Sequence, residues 1–68
     1  MRAAEIKVGG VYRAAVSERL VDVRVLQIVE RYDSWSRSVR TRYEVLNLRT
    51  GRRIVFKSAQ RFRREVTA

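Results

Sequence analysis

The chain has 68 residues and a net charge of +9, with 16 basic side chains against 7 acidic, and it contains neither cysteine nor histidine. A chain this short is one domain, expected over residues 1–68 with its core over about 6–66, and it must hold its fold without disulfides or a histidine–cysteine zinc site. The usual general base and thiol nucleophile of enzymes are missing too, which argues for a non-enzymatic protein with no metal and no cofactor.

Residues 1–7 lack the apolar stretch of a signal peptide. No apolar run approaches the ~18 residues of a membrane span. With cysteine absent as well, a cytoplasmic protein without a membrane partner is expected. Gly9-Gly10 reads as a turn before a strand and is too short for a nucleotide-binding fingerprint. Val11-Tyr12-Arg13-Ala14-Ala15-Val16 follows as a first strand.

Val21, Val23 and Val25 then alternate with Asp22 and Arg24, the period-2 pattern of a half-buried strand. The run continues through Leu26, Ile28 and Val29, where the phase becomes ambiguous, and this predicts a bend or bulge near Val25–Leu26. A helix across Leu20–Arg31 is the rival, because Val21, Val25, Ile28, Val29 and Tyr32 also share one helical face. The density of β-branched residues favours the strand. In that strand Asp22 and Glu30 are expected to be outward-facing partners for Arg24 and Arg31.

A polar loop, Asp33 to Ser38, carries the single tryptophan, Trp35. Beyond it Thr41–Leu48 and Arg53–Lys57 read as a hairpin around Arg49-Thr50-Gly51-Arg52, with Gly51 free to take a positive φ. A loop centred on Thr50-Gly51 sets Glu44 against Lys57, Val45 against Phe56 and Asn47 against Ile54. The charge pair and the aromatic–aliphatic pair both suit that register. Tyr43, Val45, Ile54 and Phe56 then face the core. Leu46, Leu48 and Val55 lie on the opposite face. Ser58–Phe62 reads as one helical turn, and Arg63–Val66 as a short last strand.

The order of elements is strand, long bent strand, loop, tight hairpin, turn, short strand. It resembles an SH3-like barrel of the Tudor or KOW kind. The resemblance rests on Val8-Gly9-Gly10-Val11-Tyr12 at the entry, Asn47-Leu48-Arg49-Thr50-Gly51-Arg52 at the hairpin and Ser58-Ala59-Gln60-Arg61-Phe62 before the last strand. It implies an all-β, five-stranded barrel with one short helical turn before the last strand. Tudor-type recognition of methylated amines would need several aromatics converging in a cage, and Tyr12, Tyr32, Trp35 and Tyr43 are the available ones.

Charge is unevenly placed along the chain. Residues 1–34 hold six basic and five acidic side chains, whereas residues 35–68 hold ten basic and two acidic. Of the 16 basic residues 14 are arginine; a GC-rich genome favours arginine, but codon usage does not explain the asymmetry. The set Arg37, Arg40, Arg42, Arg49, Arg52, Arg53, Lys57, Arg61, Arg63 and Arg64 suits phosphate, since the guanidinium fork donates two bonds at once. Trp35, with Tyr32 nearby, either stands exposed to stack on a base or folds back to cap one end of the barrel. The expected function is a nucleic-acid-binding module, for DNA or RNA, that is backbone-directed and weakly sequence-specific. The alternative is a protein-interaction module. It would dock on an acidic protein surface or self-associate as a homo-oligomer through Leu46, Leu48 and Val55.

Overall fold

The structure is a computed structural model that describes residues 1–66; the last two positions of the domain expected over 1–68 lie outside the described residues. Five strands, β1 (Val11–Val16), β2 (Arg19–Asp33), β3 (Ser38–Asn47), β4 (Arg53–Phe56) and β5 (Phe62–Glu65), form one antiparallel sheet in the order β4-β3-β2-β1-β5. The helical segments among the described residues are two single 3-10 turns, Ala3–Glu5 and Ala59–Arg61. The expected all-β class and the turn before the last strand are therefore present, and Leu20–Arg31 is strand throughout, as expected, rather than the rival helix. Among the described residues no helix is long and apolar enough to cross a membrane.

The entry into β1 depends on both glycines, for different reasons. Gly9 has φ +86°, a left-handed conformation that suits glycine. A Cβ on Gly10 would lie 2.6 Å from the Tyr12 hydroxyl oxygen, so only a hydrogen fits there. That hydroxyl accepts a hydrogen bond from the Lys7 N–H (2.8 Å) and donates one to the Glu5 carbonyl (3.2 Å). The entry segment is thereby held over the core, and Ile6 is buried beneath it.

β1 turns into β2 through Ser17-Glu18, both at positive φ (47° and 66°), with Val16 opposite Arg19. This backbone is that of a two-residue turn whose twist matches the flanking strands. Further along, the β2–β3 register shifts between Val25, opposite Val45, and Gln27, opposite Glu44. Leu26 is the extra residue of a β-bulge, at the place where the sequence pattern lost its phase.

The β3–β4 hairpin departs from expectation by two residues. Phe56 lies opposite Tyr43, Val55 opposite Glu44 and Ile54 opposite Val45. The expected pairs Glu44–Lys57, Val45–Phe56 and Asn47–Ile54 do not form. The cause is Asn47. Its buried side-chain oxygen accepts from the N–H groups of Arg49 (2.9 Å) and Thr50 (3.4 Å), and its carbonyl accepts from Gly51 N–H (2.7 Å). These bonds place the loop at residues 48–51, with Gly51 at φ +75°. A slip of two preserves the faces of both strands, so Tyr43, Val45 and Phe56 are buried as expected and Ile54 is half-buried.

The inward-facing residues Ile6, Tyr12, Ala14, Val23, Val25, Tyr43, Val45, Phe56 and Phe62 form the core. The Phe62 ring sits among Tyr12, Tyr43 and Phe56 at centroid distances of 5.5, 5.3 and 5.2 Å, edge-on to each. Phe56 and Phe62 belong to opposite edges of the sheet, so the sheet curls until its edge strands share one aromatic cluster. No ladder pairs β4 with β5, and the sheet is not closed.

Candidate nucleic-acid interface

Beyond the Leu26 bulge, β2 and β3 outrun the core. Their paired residues continue from Ile28 opposite Tyr43 to Asp33 opposite Ser38. Glu30, Tyr32 and Val39, which occupy the inward parity, have no core left to cover and are exposed. The result is a two-stranded arm on a molecule measuring 39 × 21 × 20 Å. The arm keeps its extended form because Ile28, Val29, Tyr32, Val39 and Thr41 favour strand. The cross-strand pair Tyr32–Val39 adds a local contact near the end.

The tip is ordered by Asp33. Its carboxylate accepts from the Trp35 N–H (3.0 Å) and from the Ser36 hydroxyl (3.0 Å), while Ser36 also bonds Ser38 across the turn (2.7 Å). The Ser36 and Trp35 bonds hold the Asp33 carboxyl below the usual carboxylate range. Arg37 closes the turn at φ +55°. Trp35, 96% exposed, is carried at the end of this turn. Trp35 therefore does not fold back to cap an end of the domain, the other role open to it. Tyr32 is 68% exposed beside it.

On the outward face of the arm, alternation places Val29, Arg31 and Asp33 on β2 against Arg42, Arg40 and Ser38 on β3. Arg31 and Arg40 are direct cross-strand partners. Val29, Arg31, Asp33, Arg40 and Arg42, with Tyr32 and Glu44, line an open groove of about 400 Å³. Like charges directly opposed on a sheet destabilise it. Among the described residues, the one ion pair within bonding distance joins Arg13 to Asp22 (3.3 Å), on another part of the sheet. Among the described residues the arginines of the arm are thus not ion-paired, although Asp33 and Glu44 border the same groove.

All ten basic residues singled out from the sequence are exposed. They do not form one cluster. Arg40, Arg42, Arg53 and Arg64 project from the outer face of the sheet, Arg37 stands at the arm tip, and Arg49 lies within, and Arg52 just after, the turn at the far end of β3. Lys57 and Arg61 lie along the connection from β4 to β5, and Arg63 is exposed in β5. Because β2 lies between β1 and β3, the first half of the chain adds to the same outer face. Arg24 projects beside Leu46 there, and Arg31 lies in the arm groove. Sequence reasoning missed Arg31. Folding the strands back around the polar stretch 33–38 would have placed it against Arg40.

Two expectations are corrected. Asp22 pairs with Arg13 rather than Arg24, because Arg13 is its cross-strand neighbour. Glu30 and Arg31 are consecutive in a strand and point to opposite faces, so they do not pair. The four aromatics considered for a cage also diverge: Tyr12 and Tyr43 are buried around Phe62, whereas Tyr32 and Trp35 stand on the arm. Among the described residues no three acidic, histidine or cysteine side chains gather as a metal site. Comparison with known proteins found no matching family model, no matching curated protein and no matching solved structure.

Proposed function

We propose that this chain is a small cytoplasmic nucleic-acid-binding module that grips the phosphate backbone and reads sequence weakly. The observation that carries the reading is the outer face of the sheet, where Arg31, Arg40 and Arg42 share one groove without an ion-paired acid. Further exposed arginines continue that positive surface over the body of the domain. The helical segments among the described residues are single 3-10 turns, too short to lie in a major groove as a base-reading helix. We read the curled sheet as an SH3-like barrel of the Tudor or KOW kind, in keeping with the 3-10 turn between β4 and β5. On this reading the protein works by binding, without catalysis or a cofactor.

The test is the salt dependence of binding to duplex DNA of arbitrary sequence. With about five phosphates contacted, log affinity against log salt should fall with a slope near −4 to −5. Arg42→Gln combined with Arg53→Gln removes two outer-face contacts and should make the slope shallower by about two. Arg2→Gln combined with Arg19→Gln changes net charge equally away from that face and should alter it far less. Equal loss from both pairs, or no binding at low salt to duplex or single strand, refutes the reading. A protein-partner reading rests on Leu48 and Val55, which stay 43% and 51% exposed; it gains if nucleic acid fails to bind and the chain forms a stable dimer.

A further inference from the structure

We propose that the β2–β3 arm is a docking site for single-stranded nucleic acid, with phosphates in the Arg31/Arg40/Arg42 groove and a base stacked on Trp35. This rests on the nucleic-acid reading above and names the form of nucleic acid that the arm takes.

Three observations point to a single strand. The first is the shape of the charge. The three guanidinium groups come from one face of a two-stranded ribbon, so the positive track is narrow. Arg40 and Arg42 are two residues apart on β3, which spaces them by about 6.8 Å along the strand, close to the separation of successive phosphates on an extended chain. The second is Trp35. An almost fully exposed indole has hydrophobic area to bury and a flat face to offer, and every base has a matching face. In a duplex those faces are already stacked on one another, whereas a single strand presents them. The third is order. The Asp33 bonds to Trp35 N–H and Ser36 fix the turn before any ligand arrives, which lowers the entropy cost of ordering the site on binding.

The acids near the groove are compatible with this path. Asp33 uses both carboxylate oxygens inside the turn. Glu44 lies at the inner end of the groove, opposite Val55 on one side and Gln27 on the other. A strand running from Arg42 outward past Arg40 and Arg31 to Trp35 leads away from Glu44. Tyr32, which borders the groove and is exposed, is placed to flank a neighbouring base or sugar.

The experiment uses the full chain and the emission of Trp35, its single tryptophan. The probes are a short oligothymidylate and a duplex of the same length. The single strand should quench Trp35 emission saturably, because the indole stacks; the duplex should leave it nearly unchanged. Trp35→Ala should weaken single-strand binding about tenfold and duplex binding much less, while Trp35→Phe should retain most of the affinity. Arg40→Gln combined with Arg42→Gln should make the single-strand salt slope shallower by about 1.4, at ~0.7 per phosphate. All these side chains are exposed, and unchanged thermal melting of each variant would confirm an intact fold. Single-strand binding without change in emission, or unaltered by Trp35→Ala, overturns the arm assignment even if duplex DNA binds. Failure of both probes at low salt overturns the nucleic-acid reading itself.

Discussion

Phe62 has no accessible surface and touches the rings of Tyr12, Tyr43 and Phe56, which belong to three different strands. Truncating it removes a large side chain and three edge-on aromatic contacts. Phe62→Ala should cost about 3–5 kcal/mol, most of what a domain this small is expected to have. Val55→Ala, on the outer face, should stay within about 0.5 kcal/mol. Urea denaturation of the two variants checks the contrast, and equal midpoints would place the core elsewhere. Tyr43 offers a second test at this scale. Burial, with the negative charge of Glu30 added, raises its phenol above the ordinary value of 10.0. A raised phenol pKa means the folded state holds its proton where the unfolded chain has lost it. Stability from this group is full below about pH 10 and falls as pH rises toward the folded value. Melting temperature followed across that alkaline range should drop less steeply in Tyr43→Phe.

At the level of single elements, the arm turn is the piece most directly tunable by pH. Asp33 has a depressed carboxyl pKa, so the order it confers is complete above the unfolded value and disappears as pH falls through the lower folded one. The backbone amide signal of Trp35, which is bonded to this carboxylate, should titrate below the usual carboxylate range and stay unresponsive in Asp33→Asn. The same turn shows what a sequence carries at this scale. β1, the length and bend of β2, and the inner faces of β3 and β4 were legible because alternation of apolar residues is a strong local signal. The turn at Ser17-Glu18 was not, since neither residue advertises a positive φ as Asn-Gly would. The β3–β4 register was missed because a glycine marks a loop but not its limits. The limits were decided by a buried asparagine side chain capping backbone N–H groups, and cross-strand pairing preferences could not outweigh that.

Across the whole molecule, the basic residues counted along the chain proved to be a different set from those that meet in space. The contrast between the two halves was real in sequence, but β2 carries Arg24 and Arg31 from the first half onto the face formed by the second. Charge counting therefore found the exposed residues and could not find the groove, which exists only once Arg31 is set opposite Arg40. The single core has an analogous property. Phe62 comes from the last strand, and that strand is held by β1, the first. The three rings around Phe62 can be brought near one another by β1–β4, yet the space among them stays unfilled until the final segment arrives. Closing a loop of nearly the entire chain carries an entropy cost that no local contact repays in advance. Folding should accordingly be slow for so small a domain, with the meander β1–β4 fluctuating until β5 docks. During synthesis the domain gains its centre only when β5 has emerged, so until then it is a curled sheet with an open hole where its most buried side chain will sit.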